Sequence, residues 1–255
     1  FDDTLPRLAV SYDMNNNWNF YANYAKGRRS PVVNADASGV TVTKAEIVDS
    51  YDLGVKYQSP NFTFTGAVFT YQYSDYQQSY TDAETLQSIT VTVGDSTMSG
   101  IEGMATYHYS DTLSFTTSLG FLDAEFADDT ADGTPFQYGG NKFRLAPEVS
   151  GAININKLVE MDNWLLDFNW LTSFQSKVYF ESSNYPGLWQ DTYSLTDVSM
   201  KVSKDNSPFA FELYVDNLLD KEYLIDAGNT GGGLGIPTFV RGMPRIAGVR
   251  VYYAF

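Results

Sequence analysis

The chain has 255 residues, no Cys, one His and a formal charge of −15, from 31 acidic and 16 basic residues. This acidic balance excludes nucleic acid as a partner, because binding to a phosphate backbone depends on Lys and Arg displacing counterions. The composition also excludes disulfide scaffolds, thiolate zinc sites and multi-His metal centres, and no run of about 18 apolar residues offers a membrane-spanning helix.

Alternation of apolar and polar residues with a period of two is the dominant pattern, and it predicts β-strands. In chain order, about eleven strands are predicted, at 4–14, 18–27, 45–58, 62–75, 97–109, 113–126, 143–156, 164–180, 190–203, 208–217 and 245–255. Strands of soluble proteins centre on about five or six residues, whereas a tilted membrane-spanning strand needs about nine to eleven. The predicted strands therefore have the length to cross a bilayer.

The strand predicted over 164–180 shows the two faces most clearly. Trp164, Phe168 and Trp170 share one face, and polar residues such as Asp167 and Gln175 share the other. An apolar face of this kind fits lipid on the outside of a barrel, but it would equally fit the core of a soluble β-sandwich. The alternation alone leaves both open.

The connections between strands alternate between short and long. Tight turns are predicted at 15–17, 59–61, 110–112 and 204–207, and long polar segments at 28–44, 76–96, 127–142, 181–189 and 218–244; only the connection at 157–163 is intermediate. Outer-membrane barrels have short periplasmic turns and long extracellular loops, and aromatic residues gather near their strand ends. Together these features predict an all-β fold, a transmembrane antiparallel β-barrel.

Several segments of the chain carry a family resemblance. The run from Asp216 to Tyr223, with Asn217-Leu218 and Asp220 in it, resembles the Asn-Leu-x-Asp-x-x-Tyr segment of TonB-dependent outer-membrane receptors, and 239–255 resembles their terminal strand. The segments 5–12, 24–31 and 51–57 resemble their recurring barrel segments, although Arg28 stands where Phe is commoner. The resemblance runs in order from one end of the chain to the other.

This resemblance implies a barrel of about twenty-two strands around an N-terminal plug. About eleven strands are predicted here, so the whole range 1–255 is expected to be the C-terminal half of the barrel, with the plug and the N-terminal strands absent from the chain. An odd number of strands also cannot close a barrel whose termini are both periplasmic. A self-contained barrel of twelve strands stays open if Ser88–Val93 forms an additional strand.

The resemblance also implies a function. It implies a receptor in the outer membrane of a Gram-negative bacterium that imports a scarce, bulky nutrient, such as a ferric siderophore or another iron complex. The proton-motive force would drive import through the TonB complex, acting on the plug. The expected partners are this complex, outer-membrane lipid, the barrel-assembly machinery and the iron chelate; no resident cofactor or metal is expected. The alternatives are a porin without TonB coupling and a soluble carbohydrate-binding β-sandwich.

An enzyme is not expected, because the single His108 is predicted near the short-turn end with no nucleophile motif beside it. Candidate ligand-binding residues lie in the long segments. Arg28 and Arg29 could hold an anionic ligand by charge-assisted hydrogen bonds, and side chains further along the chain could stack on an aromatic ligand. These are Tyr138, Tyr185, Trp189, Phe239 and Arg241.

Four further groups of residues can be interpreted. An acidic cluster at Asp123, Glu125, Asp128, Asp129 and Asp132 could bind a divalent cation but lacks the fixed spacing of a calcium loop, so a solvated loop is favoured. The glycines at 231–233 indicate a mobile loop. Gly248, Val251, Tyr253 and Phe255 fit the signal that the barrel-assembly machinery reads in this family, and Glu148, Asp167, Asn169 and Glu212 are expected to face the lumen.

Overall fold

A computed structural model describes residues 3–36, 39–81, 87–127, 138–228 and 238–254, and its regular elements are β-strands throughout. In these ranges no helix has the length and apolar character that a bilayer crossing requires. Eleven strands form one antiparallel sheet in which each strand pairs with the next one of the sheet along the chain. They are β1 (Arg7–Asp13), β2 (Trp18–Arg29), β5 (Glu46–Gln58), β6 (Phe62–Thr81), β7 (Ser88–Ser110), β8 (Leu113–Phe126), β9 (Val149–Met161), β10 (Trp164–Gln175), β13 (Tyr193–Lys204), β14 (Phe209–Asp216) and β17 (Ile246–Tyr253).

Six short strands form three hairpins within the long connections. They are β3 (Val33–Asp36) with β4 (Gly39–Val42), β11 (Val178–Tyr179) with β12 (Trp189–Gln190), and β15 (Leu224–Gly228) with β16 (Thr238–Arg241). The predicted loops at 28–44 and 218–244 therefore contain paired strands of their own. We call the end of the sheet that carries these hairpins the loop end, and the opposite end the turn end.

The turn end carries only short connections, at 14–17, 59–61, 111–112, 162–163 and 205–208. The connection predicted as intermediate is in fact a tight turn, because β9 continues to Met161 and β10 begins at Trp164. Asp162 and Asn206 adopt left-handed backbone conformations there, with φ of 51° and 57°. Asp and Asn tolerate this region better than most side chains do, which suits both to tight turns.

The cross-strand register joins the apolar faces of neighbouring strands into one continuous face. One row across seven strands runs through Val10, Ala22, Leu53, Val68, Ile101, Phe121 and Val149. Side chains on this apolar face are exposed, with Leu53 at 58% and Ile101 at 57% of their full accessibility. A soluble β-sandwich buries such a face against a second sheet, and no second layer covers it in the described ranges.

The opposite face, the polar face, carries charged and amide side chains in register. Its row near the turn end runs through Asp167, Lys201, Glu212 and Arg250. Asp167 accepts a hydrogen bond from Asn156 at 2.6 Å, and Glu212 pairs with Arg250 at 3.2 Å. The predicted separation of Asp167, Asn169 and Glu212 from the apolar residues is therefore observed.

The predicted loop at 76–96 is wrong over most of its length. β6 and β7 extend beyond the neighbouring strands and pair up to Thr81 and Ser88. Ser88–Val93 is a strand, as its composition indicated, but it is the upper part of β7 and not an additional strand of the sheet. The described residues therefore give eleven sheet strands, and the reading with a twelfth strand here is not supported.

Two other predicted boundaries need correction. The strand predicted at 143–156 begins only at Val149, because Leu145 has a left-handed φ of 54° that interrupts extended backbone. The strand predicted at 164–180 divides into β10 and β11, and at the break the Ser176 hydroxyl accepts a hydrogen bond from the Val149 amide at 3.0 Å.

The buried hydrophobic residues of the described chain lie at the loop end. The first loop core consists of Val93, Ala124, Phe126, Tyr138 and Phe143, and the second loop core of Val178, Phe180 and Ala227. β1 pairs with β2 and β17 pairs with β14, and neither has a second neighbour among the described residues. The eleven strands by themselves thus form an open sheet.

Candidate ligand-binding end

Hydrogen bonds hold the β3–β4 hairpin against the extended β6–β7 pair at the loop end. The buried Gln77 donates from Nε2 to the carbonyls of Ser30 and Lys44, at 3.1 and 2.8 Å. Asn34 and the backbone of Thr90 exchange two further bonds, of 2.7 and 3.0 Å. Because these partners are far apart in sequence, the loop end is a packed structure built from several connections.

Arg28 and Arg29 do not converge on a shared site. β2 continues to Arg29, beyond its predicted end at residue 27, and consecutive residues of a strand point to opposite faces. Arg28 forms an ion pair with Asp3. Arg29 lies 3.8 Å from Glu46 and donates to the carbonyl of Gln77 at 3.1 Å. The two guanidinium groups cannot hold one anionic ligand together in this arrangement.

The acidic cluster at the top of β8 has a lysine at its centre. Lys142 Nζ lies 2.7 Å from Asp123 Oδ1 and 3.3 Å from both Glu125 Oε2 and Glu148 Oε1. The hydrogen bond to Asp123, together with those to the two glutamates, raises the pKa of Lys142 although partial burial opposes the shift. The ammonium of Lys142 therefore occupies the position at which the sequence suggested a divalent cation. Asp128, Asp129 and Asp132 lie outside the described residues.

Within the described ranges, no group of three or more His, Cys, Asp or Glu side chains is arranged to hold a metal ion. Glu148, expected on the lumen side, precedes β9 and directs its carboxylate to this lysine cluster instead. Asp123 and Glu125 alternate with Ala124 and Phe126, which belong to the first loop core. The lysine cluster therefore lies on the side of β8 away from that core.

Tyr138 packs within the first loop core. It is buried, and its ring centroid lies 5.3 Å from that of Phe126. Burial raises the pKa of the Tyr138 phenol, with a smaller contribution from the charge of Glu181. In this conformation Tyr138 stabilises the loop end and does not present its ring to a ligand.

Tyr185 and Phe239 are exposed at the loop end, at 65% and 54%. Phe239 lies on β16 opposite Ala227, and Arg241 ends the same strand opposite Leu224. The glycine-rich segment at 231–233, interpreted as a mobile loop, is outside the described residues. These three side chains remain accessible candidates, and the structure assigns no shared pocket to them.

Trp189 forms the clearest constellation among the predicted candidates. It pairs with Tyr179 in the β11–β12 hairpin, and the Lys177 ammonium lies 4.1 Å from the centroid of the Trp189 ring and 4.4 Å from that of Tyr179. Lys177 and Tyr179 were not selected as site residues from the sequence. The alternation over 164–180 placed both on the polar face, which was the signal that could have identified them.

The residues near the turn end have structural contacts. The backbone amide of His108 donates to the carbonyl of Asn61 at 2.8 Å, and its side chain is exposed. Val251 pairs with Phe211 on the apolar face, and the ring of Tyr253 contacts that of Phe209 in a tilted arrangement, with centroids 5.0 Å apart. Gly248 lies under the ring of Tyr214, where a Cβ would approach the phenol oxygen to 2.5 Å. Phe255 is outside the described residues.

Comparison with known proteins gives a consistent result. Residues 1–218 match the family model described as TonB dependent receptor-like, beta-barrel. The pesticin receptor of Yersinia pestis is 23% identical over an alignment of 228 residues that covers 87% of this chain and 32% of that protein. The chain thus spans about a third of the length of the curated relatives it matches.

Solved structures show the same fold. The ferric yersiniabactin uptake receptor FyuA from Yersinia pestis superimposes with a TM-score of 0.83 at 22% identity, covering 98% of this chain and 37% of the receptor. BauA, the ferric preacinetobactin receptor from Acinetobacter baumannii, gives a TM-score of 0.74 at 19% identity, covering 98% and 36%. Both are receptors, and at these identities the likeness concerns the fold alone.

Proposed function

Because the chain belongs to the family of TonB-dependent receptor β-barrels, we propose that it forms part of an outer-membrane receptor that imports a ferric siderophore or a similar iron complex. The observation that carries this proposal is the exposed apolar face that continues across the eleven-stranded sheet. Lipid covers such a face favourably, whereas in water it would promote association of the sheet with other surfaces. A membrane barrel thus explains the fold better than a soluble domain does.

The proposal assigns an environment to each part of the sheet. The apolar face contacts outer-membrane lipid and the polar face lines the lumen. The turn end lies in the periplasm and the loop end outside the cell. The chain is the C-terminal half of a barrel of about twenty-two strands, which encloses a plug through which the TonB complex acts. The edge strand β17, with Val251 and Tyr253 on its apolar face, is offered to the barrel-assembly machinery.

The cargo is proposed from the relatives and from the loop end. The names of two relatives describe a ferric yersiniabactin uptake receptor and a ferric preacinetobactin receptor, so the proposed cargo is an iron chelate of this kind. At the loop end, Tyr185, Trp189, Phe239 and Arg241 offer rings and a cation to such a ligand. The hydrogen-bonded docking of the β3–β4 hairpin holds this end in a defined shape.

Uptake of radiolabelled iron chelates by cells tests the proposal. The panel contains ferric citrate, ferric enterobactin and ferrioxamine B, and the strains are wild type, a deletion of the encoding gene, the complemented deletion and a deletion of TonB. We expect at least one chelate to be taken up only when both the receptor and TonB are present, and a protonophore to abolish its uptake.

The same strains separate the alternatives. A porin would admit its solute without TonB and without the proton-motive force, so uptake that survives the TonB deletion contradicts the receptor proposal. Release of the protein from membranes by alkaline carbonate without detergent would instead support a soluble β-sandwich. If the deletion strain takes up every chelate as well as wild type does under iron limitation, iron is ruled out as the cargo.

A further inference from the structure

The Lys177 side chain occupies an aromatic enclosure at the loop end. Its ammonium lies over the Trp189 ring at 4.1 Å and over the Tyr179 ring at 4.4 Å, and it donates a hydrogen bond to the Tyr179 hydroxyl at 3.2 Å. The two ring centroids lie 6.4 Å apart, with planes inclined at 74°. Cation–π contacts at these distances position the ammonium but do not neutralise its charge.

The register of the hairpin places this enclosure on the polar face. Gln175 pairs with Tyr193 in β10–β13, and Val178 pairs with Gln190 in β11–β12, so both ladders follow one register. Alternation therefore puts Lys177 and Tyr179 on the same side as Gln175, opposite to Val178 and Phe180 of the second loop core. In the proposed barrel this side faces the lumen near its extracellular mouth.

Lys177 has no carboxylate partner within 4.0 Å among the described side chains. Two other lysines of the loop end differ from it in this respect. Lys44 pairs with Asp75 at 2.8 Å, and Lys142 contacts three carboxylates. Eight of the sixteen basic residues have a carboxylate within 4.0 Å among the described side chains, and Lys177 belongs to the other half, so no nearby acid balances its charge. Such a group attracts an anion that enters the mouth of the barrel.

We propose that Lys177, Tyr179 and Trp189 form a subsite that binds an anionic group, a carboxylate or a phenolate, of the iron chelate. Lys177 donates to the anionic oxygen by a charge-assisted hydrogen bond. The indole and phenol rings contact the flat or apolar part of the chelate. The subsite rests on the proposed receptor function and narrows its substrate to chelates that carry negative charge.

Equilibrium binding to the purified full-length receptor in detergent tests this subsite. The probes are ferric citrate and ferric enterobactin, whose ligands are anionic carboxylates and catecholates, and ferrioxamine B, which is cationic. We expect the preferred probe to be anionic and its Kd to rise about tenfold in Lys177→Gln, which corresponds to about 1.4 kcal/mol. Lys177→Arg keeps the charge and should bind within about threefold of wild type.

Lys204→Gln is the matched control, because Lys204 also lies over an indole, that of Trp164 at 5.4 Å, but at the turn end. It should leave the Kd unchanged. A shift in electrophoretic mobility on heating confirms that each variant is folded.

The outcomes separate the two proposals. Equal affinity of wild type and Lys177→Gln, or a preference for ferrioxamine B, overturns the subsite but leaves the receptor function standing. Binding of none of the three probes contradicts both the anionic subsite and iron import.

Discussion

Lys142 shows how one residue changes the meaning of a charge pattern. The carboxylates near the top of β8 resembled a cation site in sequence, yet the ammonium that contacts Asp123 and Glu125 comes from the next connection, at Lys142. Arg28 and Arg29 show the opposite case, because two adjacent cations separate onto the two faces of one strand. Adjacency in sequence is thus a poor guide to shared sites within strands.

Lys142→Met tests the role of the lysine cluster. Removal of the ammonium leaves three carboxylates near one another, so we expect the connection between β8 and β9 to open more easily, by about 1 kcal/mol. Hydrogen exchange of the amides of Lys142 and Phe143 measures this opening. Lys44→Met, which breaks a single exposed ion pair with Asp75, should increase the hydrogen exchange of these amides less. Equal effects of the two variants would contradict the role of the cluster.

The stabilising effect of Lys142 should be lost in alkaline solution. Its pKa is raised in the folded protein, so its contribution is complete below the ordinary lysine pKa of about 10.5 and is lost as the pH rises through the higher folded value. High salt should weaken the effect at neutral pH, because the carboxylates are largely exposed.

At the scale of elements, β7 is the longest strand of the sheet, and two of its glycines differ in what surrounds them. A Cβ on Gly100 would lie 2.6 Å from the carbonyl oxygen of Phe121 and 2.5 Å from the Phe69 ring. A Cβ on Gly103 would meet its nearest atom, the carbonyl oxygen of Thr65, at an ordinary 3.5 Å. Of these two positions, only Gly100 requires glycine, because the Phe121 carbonyl and the Phe69 ring approach it closely.

Gly100→Ala should destabilise the barrel by about 1–3 kcal/mol, because the carbonyl of the neighbouring strand cannot move without disturbing its ladder. Gly103→Ala, on the same strand, should change stability little. The midpoint of urea unfolding of the full-length receptor in detergent, followed by the shift in mobility on heating, compares the two. A variant at Gly100 as stable as the one at Gly103 would show that the Phe69 ring and the sheet adjust freely.

At the scale of the whole molecule, the two faces of the sheet have different surroundings. In the proposed barrel, Leu119 lies on the lipid-facing apolar face, 42% exposed, and the adjacent Ser118 lies on the polar face opposite Met104 and Ala152. The same substitution at these two positions therefore reports which face meets the membrane.

Leu119→Lys should disfavour assembly in the membrane by about 2–4 kcal/mol if the residue lies near the bilayer midplane, because a charge on the lipid face must leave water. Ser118→Lys should assemble nearly as well as wild type, since its side chain reaches the aqueous lumen. The folded fraction in the outer membrane, measured by mobility on heating, gives the comparison. Greater loss with Ser118→Lys would reverse the assignment of faces.

Much of the barrel was predictable because its rules are local. Alternation in 164–180 identified the two faces, and the Asn- and Asp-rich segments identified the turn end. The prediction of strands failed where segments that pair as strands have the polar composition of loops. The polar, Thr- and Ser-rich segment 76–96 lacks a clean apolar face, yet its residues 76–81 and 88–96 extend β6 and β7, because the two backbones pair with each other.

By itself, the sequence determined the β-fold, the apolar and polar faces and the family, because strand periodicity and motif order depend on residues close together in the chain. Only the tertiary structure decided which side chains contact one another at the loop end. Asn34 bonds to Thr90, Lys142 reaches Glu148 and Asp123, and Lys177 lies between Tyr179 and Trp189. The docking of one connection on another places most of these groups, and no local period records which distant segment will supply the partner of a charge or a ring.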